Sequence, residues 1–457
     1  MSDRALAVVP LVLTILAISA TNSAAVTTER VAVAPPVAAA TAVAPPVAPA
    51  ATTPQAVPCP KAVAPKVKRS PRPTPPPAVP EHRVVGGDAL ATPGLVVPPD
   101  VPTPPKVTAR SWLVADLDTG EVLGGCGPHE YATPASVQKL LLAATMLPRL
   151  DADETVTITR EDLDIAPGSS AVGLLAGGRY RVRTLWLGLL LQSGNEAANA
   201  LARLGGGPDG AAGGVRAMNE QARHLGALQT RAVTPSGLDA PGQFTSAYDL
   251  ALIARACFSD PTFRRYALTE RTRIPGQKAL RGKGFEIQNE NQLIYRYPGA
   301  LGGKTGFTDY ARHTYVGAAE RDGRRLVVTL LGAEPRPQRG WEQGAALLDW
   351  GFALPRGSSV GRLVEPGEWD APPATPDAPP AAPDAPPPAS QPAGPPPGEE
   401  SASAAHDDVP GAGTLVAVLI GLLAVGLALV AAWRGRAGNR PARSSDGQEE
   451  RDLTVKF

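Results

Sequence analysis

The chain has 457 residues, and its 44 basic and 43 acidic residues leave a net charge of +1, which gives no reason to expect a nucleic acid as partner. Of its 51 prolines, 21 lie in residues 31–105 and 15 in residues 366–410, whereas 18 of the 21 aromatic residues lie in residues 106–365. A segment poor in aromatic residues buries too little apolar surface to offset its ordering entropy. The composition therefore predicts one folded domain over 106–365, between disordered proline- and alanine-rich segments at 26–105 and 366–413.

The N-terminal end has the pattern of a secretory signal peptide over residues 1–25. Arg4 precedes an apolar run at 5–20, and small residues follow at 23–25. A retained signal anchor is the alternative, and the sequence leaves cleavage open.

A second apolar run lies near the C-terminus. Residues 414–433 carry no charged side chain, and at ~1.5 Å per residue they match the ~30 Å hydrocarbon core of a bilayer. Arg434 and Arg436 follow directly, so the positive-inside rule places the tail 434–457 in the cytoplasm. We expect a single-pass protein of the cell membrane, with the folded domain outside and the linker 366–413 as a spacer.

The first proline-rich segment contains a basic run, which either contacts an anionic wall polymer or is simply solvated. Its members are Lys61, Lys66, Lys68, Arg69 and Arg72.

The cysteines and histidines indicate less about structure and function. Cys59 lies in the proline-rich segment, whereas Cys126 and Cys257 lie in the folded domain and are either bonded to each other or reduced. The five histidines have no metal-ligand spacing, and we expect neither a metal nor a cofactor.

The folded domain begins with a predicted hairpin over 110–125, after which Pro134 precedes a helical run that starts at Ser136. Lys139 lies one helical turn after Ser136, so the two side chains share a face. A serine hydroxyl needs a base to become a nucleophile, and a lysine can serve if burial or a neighbouring cation lowers its pKa.

Two further elements follow. The leucine-rich stretch 185–204 is interrupted by Ser193-Gly194-Asn195, and Lys304-Thr305-Gly306 precedes two strand-like runs at 313–320 and 325–332. Each element by itself could be an ordinary turn.

In this order, S-x-x-K, S-x-N and K-T-G resemble the signature set of penicillin-binding proteins and serine β-lactamases. Over about 107–355 the chain is most similar to low-molecular-weight penicillin-binding proteins of the serine-type D-alanyl-D-alanine carboxypeptidase family, as in PASVQK (134–139), LLLQSGNEAANALA (189–202) and GGKTGFT (302–308). The resemblance implies an α+β fold of the β-lactamase/DD-peptidase type, in which a five-stranded antiparallel sheet with flanking helices and a helical lobe enclose the site.

The resemblance also implies the catalytic roles. Ser136 is the acylated nucleophile, Lys139 is its base, and Ser193 relays a proton to the leaving D-alanine. The backbone N–H groups of Ser136 and Phe307 form the oxyanion hole.

The substrate-binding residues implied by the resemblance are Asn195, Lys304, Thr305, Gly306 and Phe307. Asn195 holds the substrate amide, and Lys304 and Thr305 bind its terminal carboxylate, which suits a cation at one end of the cleft. Lys304 is also expected to depress the pKa of Lys139.

These expectations combine into an exported enzyme that removes the terminal D-alanine from peptidoglycan stem peptides and is acylated by β-lactams. The alternatives are a β-lactamase or transpeptidase of the same fold, and a non-catalytic module that binds the wall or senses β-lactams. The chain lacks the E-x-x-L-N segment of class A β-lactamases. It departs from its relatives at Arg312, where they commonly carry glycine, which bears on the strand geometry after Thr308.

Overall fold

The computed structural model describes residues 56–66 and 68–370. The predicted signal peptide at 1–25, the apolar run at 414–433 and the tail 434–457 lie outside the described residues, as does most of the linker 366–413. Within the described part of the chain, no helix has both the length and the apolar character needed to cross a membrane.

The described residues form an α+β unit, which confirms the predicted fold class. The strands are β1 (Leu95–Val96), β2 (Ser111–Asp116), β3 (Glu121–Cys126), β4 (Thr155–Thr157), β5 (Arg179–Arg181), β6 (Arg271–Ile274), β7 (Phe285–Gln288), β8 (Ala300–Thr308), β9 (Arg312–Arg321), β10 (Arg324–Ala333) and β11 (Gly361–Arg362). The α-helices are α1 (Pro80–Arg83), α2 (Lys139–Met146), α3 (Val182–Gln192), α4 (Asn195–Gly205), α5 (Gly210–His224), α6 (Ala247–Ser259), α7 (Pro261–Ala267), α8 (Leu293–Arg296) and α9 (Gly340–Ala353).

The main sheet is antiparallel, and its order is β1-β3-β2-β10-β9-β8. Its five long strands correspond to the expected five-stranded sheet. The two-residue strands β1 and β11 both pair with β3 and are additions to that expectation. Two smaller sheets, β4-β5 and β6-β7, lie apart from it.

Both faces of the sheet are covered, as the alternation of β2 shows. Successive side chains of a strand point to opposite faces. Leu113 and Ala115 join a core that includes residues of α2 and α6, whereas Trp112 and Val114 join a core with α9. All six residues of β2 are therefore buried, and the sheet gives β8 a rigid support.

The proline-rich segment packs on this domain from residue 56 onward, so the prediction that 26–105 is disordered is wrong over its described part. Cys59 is bonded to Cys126, and Lys61 Nζ donates to the carbonyl oxygen of Ala109 at 2.5 Å. Val85 and Leu90 are fully buried. The compositional argument failed because the segment needs no core of its own: a covalent bond, side-chain hydrogen bonds and the surface of the domain order it.

The same disulfide corrects the cysteine prediction. Cys126 bonds to Cys59 rather than to Cys257, whose thiol is buried and unbonded. Burial raises the pKa of the Cys257 thiol far above its usual value, so it stays protonated.

Candidate active site

Ser136 lies in a 3₁₀ turn, Ala135–Gln138, which leads directly into α2. Ala135 has a positive φ of 50°, and Thr314 Oγ1 on β9 donates to the carbonyl oxygen of Pro134 at 2.8 Å. A left-handed backbone at a non-glycine residue is costly and persists only where its surroundings impose it. Strand β9 therefore helps to fix the turn that presents the serine hydroxyl.

Lys139 is buried completely behind Ser136. Its Nζ lies 2.9 Å from Ser136 Oγ, and it donates to Asn195 Oδ1 at 2.7 Å and to the carbonyl oxygen of Ser236 at 2.8 Å. Burial, and after it the charge of Lys304, hold the pKa of Lys139 well below its usual value. A neutral amine in hydrogen-bond reach of a hydroxyl can accept its proton, so the pair has the geometry of a base and its nucleophile.

Ser193 and Asn195 come from the junction of α3 and α4. Ser193 ends α3 with a left-handed φ of 60°, and α4 begins at Asn195. Ser193 Oγ is buried and has no hydrogen-bond partner within the described residues, although its side chain borders the same cavity as Ser136. An unpaired buried hydroxyl costs free energy unless a ligand or solvent satisfies it. It is therefore available to a bound substrate.

Strand β8 forms the opposite wall of this cavity, whose volume is about 720 Å³. Thr305, Gly306 and Phe307 line it. A Cβ at Gly306 would collide with Thr314 Oγ1 and lie 2.9 Å from the amide nitrogen of Ser136. Only glycine lets the strand approach the nucleophile this closely, which brings the amides of Ser136 and Phe307 to one region.

Lys304 lies in the middle of the same strand and is buried, and its Nζ donates to the carbonyl oxygen of Thr305 at 2.6 Å. Burial lowers the pKa of Lys304 to about 8, while Glu290 acts in the opposite direction. The ammonium group thus stays charged at neutral pH, in a place where it can attract an anionic ligand.

Glu196 is a residue of the site that sequence reasoning missed. Its Oε1 accepts the backbone N–H groups of Val172 at 2.6 Å, Gly173 at 2.8 Å and Leu174 at 3.4 Å. This carboxylate fastens the loop whose earlier residues, 166–170, line the cavity. In the sequence, an acidic side chain among the apolar residues of the S-x-N stretch could have indicated this role.

Arg312, the departure from the family pattern, lies at the end of this wall. It keeps a left-handed φ of 61°, which glycine adopts most easily. Its guanidinium group lies 5.3 Å from the centre of the Phe307 ring and pairs with Glu334 at 3.3 Å. The β8-β9 pairing continues to Thr308 and Arg312, so the arginine is accommodated without loss of register.

The structure thus brings the predicted residues of all three motifs to one cleft, which lies between strand β8 and the junction of α3 and α4. Ser136, Ser193 and Asn195 line the cavity together with residues of β8, and the two lysines are buried beside it. Among the described residues, no group of three or more histidine, cysteine or acidic side chains is placed to bind a metal. The fold and the cleft define a serine hydrolase of the penicillin-binding type.

Comparison with known proteins identifies the family. The family model described as D-alanyl-D-alanine carboxypeptidase, peptidase S11, matches residues 99–335. The chain is 44% identical to D-alanyl-D-alanine carboxypeptidase DacB2 of Mycobacterium tuberculosis over 264 residues, 57% of this chain and 87% of the relative. It is 35% identical to the carboxypeptidase DacD of Escherichia coli over 280 residues, 56% of this chain and 68% of the relative. The chain belongs to the S11 family of serine-type D-alanyl-D-alanine carboxypeptidases.

Comparison with solved structures supports the same family assignment. The crystal structure of a D-alanyl-D-alanine carboxypeptidase from Mycobacterium tuberculosis matches with a TM-score of 0.55 and 42% identity, covering 59% of this chain and 100% of that one. The Streptomyces K15 DD-transpeptidase matches with a TM-score of 0.52 and 28% identity, covering 55% of this chain and 100% of that one.

Proposed function

We propose that this enzyme removes the terminal D-alanine from peptidoglycan stem peptides through an acyl-enzyme on Ser136. The observation that carries the proposal is the buried Lys139 amine, 2.9 Å from Ser136 Oγ and with a lowered pKa. Membership of the family supports the same reaction.

In the first half of the reaction, Lys139 accepts the proton of Ser136, and Oγ attacks the carbonyl carbon of the penultimate D-alanine. Charge develops on the carbonyl oxygen, where the amides of Ser136 and Phe307 donate to it. The position of Gly306 supports this role, because it lets β8 lie against the Ser136 amide. The peptide C–N bond then breaks, and D-alanine leaves after gaining a proton, which Ser193 relays.

In the second half, water attacks the ester and releases Ser136. Asn195 orients the substrate amide, while its Oδ1 keeps Lys139 in place. The carboxylate of the terminal D-alanine binds Lys304 and Thr305, since a buried ammonium group attracts an anion strongly in a low-dielectric cleft. A β-lactam carries a reactive amide and a carboxylate and acylates Ser136 in the same way.

A DD-transpeptidase is the second candidate, and the match to the Streptomyces K15 enzyme favours it. The two reactions share the acyl-enzyme and differ only in the acceptor, which is water in one case and an amine in the other.

We further propose that the domain is exported and anchored by the apolar run 414–433, with the tail 434–457 in the cytoplasm. The bond between Cys59 and Cys126 supports export, because disulfides persist in oxidising compartments. Protease treatment of intact cells tests the topology: loss of the domain with retention of the tail agrees with it, and a protected domain contradicts it.

The experiment for the reaction is incubation of the enzyme with diacetyl-Lys-D-Ala-D-Ala, with and without added glycine. We expect release of one D-alanine per peptide, no release by Ser136→Ala, and hydrolysis product in excess over glycine-transfer product. A predominance of transfer product identifies a transpeptidase instead, and full release by Ser136→Ala removes the serine from its role.

A further inference from the structure

Four arginines lie near one another beside the catalytic cleft, and two of them pair with the same carboxylate. Arg69 Nε lies 2.5 Å from Glu334 Oε1, and Arg312 Nη2 lies 3.3 Å from Glu334 Oε2. Neither Arg72 nor Arg110 makes an ion pair or a side-chain hydrogen bond with any described residue. We call these four arginines the basic cluster.

The charges of the basic cluster act on one another. Partial burial of its stem, and then the charges of the other three arginines, lower the pKa of Arg72, and the charge of Glu334 opposes them. Like charges held together raise the free energy of the folded chain, and a bound anion would offset that cost.

The cluster borders a real cavity. Arg72 and Arg110 are exposed and line a space of about 740 Å³, together with Arg83, Tyr131 and Tyr310. Carboxylates other than Glu334 also lie near this region, and the buried Asp249, whose charge acts on Tyr131, is one of them. Glu130 is paired with Arg83, and the exposed Asp309 lies 3.9 Å from Arg312. Positive charge therefore exceeds negative charge around the cavity.

The N-terminal segment presents half of the cluster. It is fixed before Arg69 by the Cys59–Cys126 bond and after Arg72 by the ion pair between Arg83 and Glu130. The ammonium group of Lys61 is held by the carbonyl oxygens of Ala109 and Arg110. Lys66 and Lys68, in contrast, are exposed. They follow one another along a proline-rich stretch, which favours an extended backbone of ~3.1 Å per residue. Along the chain, the line of charges continues from Lys66 to Arg72, and Arg72 lines the cavity.

We propose that this line and cavity bind a linear polyanion that carries phosphate groups. A line of cations fits a polymer with a charge on each repeat better than it fits a single small anion. Within the cavity, Arg72 and Arg110 come from different elements, and a tetrahedral phosphate can accept from two guanidinium forks that approach from different directions. A carboxylate can also accept from two guanidinium groups, as Glu334 does, but its two oxygens lie in one plane, whereas a phosphate presents acceptor oxygens in three dimensions.

The site is separate from the acylation chemistry. Tyr310 and Ala311 line the basic cavity, whereas Asp309 and His313, which flank them in sequence, line the catalytic cavity. A polymer bound there lies beside the mouth of the catalytic cleft and touches neither Ser136 nor Lys139. The function of this binding site is to hold the enzyme against a polyanionic matrix.

The test measures the affinity of the full-length chain for long-chain inorganic polyphosphate by fluorescence anisotropy. The double variant Arg72→Gln/Arg110→Gln is expected to bind about tenfold more weakly or worse, since each lost guanidinium removes charge-assisted hydrogen bonds. The matched control is Arg179→Gln/Arg223→Gln, which removes two exposed arginines on other elements and is expected to bind like wild type. Raised salt should weaken wild-type binding more than binding of the double variant.

Equal affinity of the double variant and wild type would overturn the proposal, as would equal affinity of wild type for poly-L-glutamate. Labelling by fluorescent penicillin reports the fold of each variant and should be unchanged. If the double variant does not label, the single variant Arg72→Gln, on the exposed segment, is measured in its place. Because polyphosphate binding is measured without a peptide substrate, its failure and failure of the carboxypeptidase reaction are distinguishable.

Discussion

Replacing Lys139 by arginine separates its role as a base from its role as a buried cation. The guanidinium group can still donate toward Asn195 Oδ1 and the Ser236 carbonyl oxygen, which Nζ meets at 2.7 and 2.8 Å. It cannot lose its proton, because the pKa of arginine stays above about 12. A positioned general base contributes roughly 10²- to 10⁴-fold in rate, and this corresponds to about 3–5 kcal/mol in the acylation barrier. We expect Lys139→Arg to lose acylation by that factor.

The assay is the second-order rate of labelling by a fluorescent penicillin, measured beside thermal unfolding to show that the variant folds. Lys304→Arg is the matched control: Lys304 is also buried in the site, but the mechanism uses its charge rather than its basicity. We expect it to keep labelling within about tenfold of wild type. A folded Lys139→Arg enzyme that labels at more than a tenth of the wild-type rate would refute the assignment of Lys139 as the base.

Three further predictions concern the pH dependence, the disulfide and the strained arginine. Because the pKa of Lys304 is lowered to about 8, its positive charge is present below that pH and lost above it. The KM for a peptide with a free terminal carboxylate should therefore rise above pH 8. An equal rise in KM for the same peptide with a C-terminal amide would contradict this prediction. The Cys59–Cys126 bond spans 67 residues. Cys59→Ser should therefore lower the free energy of unfolding, measured by chemical denaturation, by up to about 4 kcal/mol. An unchanged denaturation midpoint would show that the disulfide contributes nothing to stability. Arg312 has a left-handed φ of 61°. The free energy of unfolding of Arg312→Ala should be about 1 kcal/mol lower than that of Arg312→Gly, because alanine keeps the backbone strain and glycine relieves it. Equal stability of the two variants would exclude backbone strain at this position.

The catalytic cleft was largely predictable because its functional residues belong to short sequence motifs. The spacing of Ser136 and Lys139 places them one turn apart, and the structure joins them at 2.9 Å. The break in the leucine run at Ser193 marks the left-handed residue that ends α3. The glycine of the K-T-G motif marks the close approach of β8 to the serine amide.

The packing of the N-terminal segment could not be predicted in the same way. It depends on pairs far apart in sequence, such as Cys59 with Cys126 and Arg69 with Glu334, 265 residues apart. Composition reports how much core a segment can build for itself, and it says nothing about a surface elsewhere on which the segment can pack. The function of Glu196 was missed for a similar reason, because its partners are backbone amides of a loop more than twenty residues earlier.

The most direct test of the central claim is to locate the covalent adduct formed with benzylpenicillin by peptide mass spectrometry. The assignment of Ser136 as the nucleophile predicts one penicilloyl group per chain, on the peptide that contains Ser136, and none on a Ser136→Ala variant that retains the wild-type unfolding temperature. An adduct on Ser193, or an undiminished adduct on folded Ser136→Ala, would contradict it.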